Sequence, residues 1–217
     1  MVMRRLRKSG LFLSLLILNF LLLTSPQAIA APTILYSGMS TGCVTAYSGS
    51  YFESNRWVAT KDINIGAINF LIGNQSTANF STSVLYVMSD NSTGNYPNTI
   101  MSTFTPDAIS GSGTLTVGRF IGSQNITTGS KFWIVPSVKA NILPWCFWTG
   151  ASTTSMTLNG VIPDTSTSAS NSSFRKVYSS AATLPIASTW DFTGDATQIW
   201  QLSIEAGSSI PTISLAL

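Results

Sequence analysis

The sequence predicts an all-β protein: an antiparallel β-sandwich of jelly-roll type, with a closed β-barrel as the alternative. Three observations carry that expectation. Beyond residue 30, no stretch shows sustained apolar spacing at three and four residues, so no amphipathic helix is predicted. Instead, about ten short runs rich in Ile, Val, Phe, Tyr and Thr recur at intervals of roughly eight to twelve residues, set apart by Gly, Asn, Asp, Ser and Pro. The polar residues of these runs are mostly Ser, Thr and Asn rather than charges, as suits the exposed faces of strands on an extracellular β protein.

The first segment is set apart from the rest. Arg4, Arg5, Arg7 and Lys8 precede an apolar run from Leu11 to Leu23, followed by Pro26 and Ala28-Ile29-Ala30. This is the order of a secretory signal peptide, read as a helix at 1–30 with cleavage after Ala30. The run of about 13 residues is short of the roughly 20 that span a bilayer. Cleavage removes four of the eleven basic residues and none of the eight acids, so the mature chain carries a net charge of about −1. The basic character belongs to the leader, and no basic patch remains to bind nucleic acid. The mature part, 31–217, is expected to form one secreted domain with no membrane attachment after cleavage.

Along the mature chain, Ala31–Ser37 and Cys43–Tyr47 are the first strand candidates, and Arg56–Thr60 leads into two long apolar runs, Ile63–Ile72 and Phe80–Met88. The polar link GNQSTAN between those runs predicts a β-hairpin. In the first run the apolar parity changes at Gly66-Ala67, where a bulge would restore one buried face. The second run is apolar on both parities and is predicted to be a central strand. Thr99–Phe104, Leu115–Ile121, Lys131–Val138, Trp145–Thr149 and Ser155–Val161 follow, with Pro136 marking a strand end or an edge. Pro163–Ser173 reads as a loop. Phe174–Ser179 and Gln198–Glu205 close the set, the latter with Trp200, Leu202 and Ile204 inward and Gln201, Ser203 and Glu205 outward.

The pieces INIGAINFLI, SVLYVMSDNSTGNYP, TTGSKFWIV and DATQIWQLSIEA, in that order, resemble bacterial exported domains of the choice-of-anchor type, particularly choice-of-anchor R. The resemblance implies a β-sandwich on a secreted or surface-attached protein without known activity. Members often end in an anchoring tail. Here the C-terminal IPTISLAL carries no LPxTG-like motif and no basic end, so release is expected rather than attachment.

The chemistry available is narrow. Histidine is absent, which removes Ser-His-Asp and Cys-His sites and the commonest neutral metal ligand. The eight acids read as turn and surface residues, and Asp191 and Asp195 form the one close pair, in a stretch read as a turn. Calcium is the metal the loops could hold, through Asp90 and Asn91 or Asp191 and Asp195, although neither stretch matches the calcium-loop pattern and Asx turns explain both. No cofactor is expected. Trp145 and Trp148 in LPWCFWTG are the candidate glycan-stacking residues, read against core packing. Cys43 and Cys146, the two cysteines, are expected to form a disulfide in an oxidising compartment. The function expected is a secreted, non-catalytic protein with a structural or interaction role at the cell surface or in the extracellular matrix, its partner a glycan or another surface protein. A carbohydrate-binding module and a glycan-active enzyme are the alternatives.

Overall fold

The computed structural model describes residues 31–39, 45–46, 51–73, 77–93, 95–111, 115–139, 146–149, 156–165, 174–181, 183–184, 190–196 and 198–207. The expected leader at 1–30 lies outside them. The strands are β1 (Ile34–Ser37), β2 (Thr45–Ala46), β3 (Phe52–Ala59), β4 (Ile63–Gly73), β5 (Leu85–Asn91), β6 (Tyr96–Ser110), β7 (Leu115–Ile126) and β8 (Lys131–Pro136). They continue with β9 (Cys146–Thr149), β10 (Thr157–Leu158), β11 (Val161–Pro163), β12 (Phe174–Ser179), β13 (Phe192–Ala196), β14 (Gln198–Trp200) and β15 (Leu202–Ala206). A short helix, α1 (Thr77–Thr82), stands between β4 and β5.

The fold is all-β and antiparallel. Twelve strands join one sheet in the order β10-β1-β15-β4-β7-β6-β5-β8-β3-β12-β13, with β11 also on β3. A small sheet, β14-β9-β2, is separate from it. The large sheet is nearly closed and barrel-like, closer to the barrel alternative than to two separately bonded jelly-roll sheets. Two features bend it round. β6 is long enough to pair with β5 through Tyr96–Phe104 and then with β7 through Thr105–Ser110. The segment from Thr157 to Pro163 touches both flanks, β10 pairing with β1 and β11 with β3. Between them Gly160 has φ +113°, a conformation that L side chains rarely adopt.

One apolar core fills the interior. It gathers Leu35 and Tyr36 of β1, Trp57 of β3, Phe70 of β4, Phe104, Phe120, Phe132, and Trp200, Leu202 and Ile204. A smaller cluster of Met88, Trp133, Val135 and Val177 lies on the other face of β5, β8 and β12, with Tyr86, Tyr96, Leu184 and Trp190 packed on it. β5 is therefore covered on both sides, as its doubly apolar pattern predicts.

The bulge in β4 is present. Its ladders to β7 and to β15 both shift register around Gly66, and Ile63, Ile65, Ile68, Phe70 and Ile72 all enter one core. The predicted hairpin is not. β4 pairs with β15 and β7, while β5 pairs with β6 and β8. The link between them contains α1. Phe80, read as the start of a strand, sits on α1 and packs against Phe120 at 5.0 Å. The stretch read as Ser155–Val161 is two short strands bent at Asn159-Gly160, and Asp191–Asp195, read as a turn, runs into β13, a strand paired with β12.

Candidate functional site

Charged side chains are few, yet several are buried, and a buried charge requires a partner to offset its desolvation. Three groups stand out. On the outer face of β3, Arg56 is held between Asp90 and Asp164. Its Nε donates to Asp164 Oδ2 at 2.6 Å, and its Nη1 to Asp90 Oδ1 at 3.1 Å and to Asn95 Oδ1 at 2.8 Å. Trp133 Nε1 donates to the same Asp90 oxygen at 2.7 Å, and the guanidinium lies 5.5 Å from the Trp133 ring centre. Across β4, β15 and β7, Asn69 donates to Glu205 Oε1 at 2.7 Å, and Arg119 reaches Glu205 Oε2 at 2.6 Å and Asp107 at 3.3 Å. Glu205 has the outward parity expected of it, but it is buried rather than solvated.

The third group faces the interior and is the candidate site. Alternation along β3 turns Glu53, Asn55, Trp57 and Ala59 to the core side. Lys176 of β12 is the register partner of Asn55, and Tyr178 that of Glu53. Lys176 Nζ lies 3.3 Å from Glu53 Oε2, with 7% and 2% of the two side chains exposed. The contact is an ion pair whose angles leave Oε2 without a hydrogen bond. Asn55 is fully buried, and its Oδ1 accepts the backbone N–H of Trp200 at 3.2 Å. Burial is the larger influence on both charges. It raises the Glu53 carboxyl above its ordinary range and lowers the Lys176 ammonium below its own, while each partner's charge acts the other way. An amine and an acid whose charged forms burial disfavours are thus brought together with a carboxamide, out of water.

The expectation that all acids serve turns and the surface therefore fails at Glu53. Its neighbours Ser54 and Asn55 hid it, because a polar FESN stretch carries no strand signal. One signal was present at Lys176. Successive residues of a strand point to opposite faces, so Arg175-Lys176 within a strand must turn one cation inward.

The other sequence-derived candidates separate. Asp90 lies at the end of β5 with both oxygens facing Arg56 Nη1, where the guanidinium charge opposes a bound cation. Asn91 makes an Asx turn, accepting from Thr93 N at 3.1 Å. Asp191 Oδ2 caps the Ser180 backbone N–H and hydroxyl. Asp195 is in β13 opposite Arg175, described by its backbone alone, so the two acids do not share one turn. Among the described residues no three acids or cysteines gather as a metal group. Trp145 and Cys43 lie outside the described residues. Trp148 is placed by its backbone in β9, opposite Ile199. Cys146 is fully buried at the start of the same strand.

No protein-family model, no curated protein and no solved structure matches this chain.

Proposed function

We propose that the chain is an exported, non-catalytic β domain with a structural or interaction role at the cell surface or in the extracellular matrix, of the kind its resemblance to choice-of-anchor domains implies. The observation that carries this reading is how the buried charges are used. Arg56 with Asp90 and Asp164, Arg119 with the buried Glu205, and Lys176 with Glu53 each tie strands of the scaffold together. With no histidine in the chain, little is left to serve turnover of an external substrate.

A Cys43–Cys146 disulfide belongs to the same proposal. It is supported by the burial of Cys146, by the absence of a free thiol among the described residues, and by the pairing of β2, which begins two residues after Cys43, with β9. Such a bridge would close a loop of about 100 residues, worth roughly 4–5 kcal/mol in the chain-entropy picture. Thiol labelling of unfolded, unreduced protein should find no reactive thiol, and two would refute the bridge.

The test of the role is to express the full chain in an exporting host and fractionate the culture. The expected product is extracellular protein beginning at Ala31 that turns over no member of a panel of glycosides, esters and peptides. Protein retaining Leu11–Leu23, or turnover abolished by Asp164→Asn, would overturn the reading.

A further inference from the structure

We propose that Lys176 and Asn55 become joined by an intramolecular amide bond, with Glu53 as the acid–base group, so that β12 is covalently stapled to β3. The inference goes beyond the exported role and does not depend on it.

The argument begins with placement. Asn55 and Lys176 are directly opposed in the antiparallel β3–β12 ladder. Opposed residues have Cβ atoms about 4.5–5.5 Å apart on the same face, a gap that the four-carbon stem of a lysine spans with ease. Lys176 Nζ is within 3.3 Å of the Glu53 carboxylate, two residues along the same strand from Asn55. As whole residues, Lys176, Asn55 and Glu53 are 6%, 0% and 3% exposed. Water, which would solvate the amine and compete as nucleophile, is kept out.

The chemistry needs an unprotonated amine, a polarised carbonyl and a proton carrier, and each is present. Transfer of one proton from Lys176 to Glu53 converts the ion pair into a neutral amine and a neutral acid. Burial favours that neutral state on both sides. The Nζ lone pair then adds to Asn55 Cγ, and the C=O π electrons move to Oδ1. The Trp200 backbone N–H, already 3.2 Å from Oδ1, faces the charge that develops there. Glu53 gives its proton to Nδ2 and takes one from Nζ. The Cγ–Nδ2 bond breaks as the carbonyl re-forms, and ammonia leaves. An amine and a carboxamide become a secondary amide and ammonia, with no oxidation or reduction and no added reactant. Fixed proximity supplies the drive that the same groups lack when free in water.

The position suits the product. β12 carries β13, the last strand on its flank of the sheet. A staple from β12 to β3 would fasten that outer hairpin to the body of the barrel.

The experiment is intact-mass measurement of folded, exported wild-type protein after reduction, followed by peptide mapping. The expected mass is lower than that of the mature sequence by one ammonia, and the map shows a branched peptide joining the Asn55 and Lys176 segments. Lys176→Arg and Asn55→Ala should each restore the full mass. Asn55→Asp, which keeps the shape of the site, should lose water in place of ammonia. Glu53→Gln should slow the reaction by on the order of 100-fold or more. An unaltered wild-type mass in aged, folded protein would overturn the proposal. So would an ammonia loss that persists in Lys176→Arg, since that marks a succinimide and not a cross-link.

Discussion

At the scale of single residues, several of this protein's few charges sit where they are hard to remove. Arg56 has only 3% of its side chain exposed, between Asp90 at 9% and Asp164 at 14%. Deleting the cation leaves two nearby carboxylates facing each other with much of their hydration gone. Arg56→Met is therefore expected to cost about 3–5 kcal/mol in urea unfolding, the range for breaking a buried pair by removing one partner. Adding Asp164→Asn should recover part of the loss, because it removes one of the stranded charges. A single-variant cost below about 1 kcal/mol would mean the network behaves as a surface pair. Asp191 illustrates the solvent-facing case. Its hydrogen bonds from the Ser180 hydroxyl and backbone N–H lower its pKa below the ordinary 3.8. A lowered folded-state pKa means that the contribution is fully present above the unfolded value and lost as pH falls through the folded one. Asp191→Asn should thus be less stable than the parent at neutral pH, and the two urea midpoints should converge in strong acid. Midpoints that stay apart by the same margin at every pH would assign the difference to something other than this charge. Little of this was readable beforehand. Arg56, Asp90 and Asp164 are far apart in the chain, and nothing in local spacing announces that three strands and a turn will bring them together.

Legibility improves at the scale of elements. Alternation named the core-facing residues of β4 and β15, because successive side chains of a strand point to opposite faces. It also located the irregularity at Gly66. There the strands approach so closely that a Cβ would stand 2.3 Å from the Gly207 Cα and 2.7 Å from its N. These are backbone atoms, which cannot rotate aside. Gly66→Ala is expected to destabilise by about 1–3 kcal/mol, as overpacking does. Amide exchange should quicken at Ile65–Ala67 and Glu205–Gly207 before it does elsewhere. Unchanged exchange along β15 would show that the bulge tolerates a methyl group. What alternation cannot supply is the choice of neighbour. β4 and β5 are both apolar and separated by a turn-rich link, which is what a hairpin also looks like. The helix α1 escaped notice because its six residues are too few to display a period, and Phe80 is its buried core residue.

At the scale of the molecule, the choice between sandwich and barrel rests on how the sheet's flanks meet, and there the sequence is least explicit. The decisive stretch is TLNGVIP, Thr157 to Pro163, which reads as the end of one strand, Ser155–Val161, and the start of a loop. In the fold, Asn159 N donates to the Leu35 carbonyl at 2.9 Å, and Thr60 N donates to the Gly160 carbonyl at 2.9 Å, so one short bend bridges β1 and β3. The Asn159 side chain adds bonds to the Ile34 carbonyl and from Lys61 Nζ. Closure therefore depends on a residue that can hold φ +113°. Valine is strongly disfavoured there, and its Cβ would also press on Ile63 Cγ2, 3.2 Å away. Gly160→Val is expected to cost about 1–3 kcal/mol. Its signature should be spatial: β1, the Trp57–Ala59 end of β3 and Thr60 beyond it lose exchange protection, while β5 and β8, covered on both faces, keep theirs until global unfolding. If protection falls evenly across all strands, the barrel unfolds as one unit and this bend is only one bond among many. If β1 and β3 stay protected and stability is unchanged, the sheet is held round by its core alone, and the seam at Asn159-Gly160 does not close it.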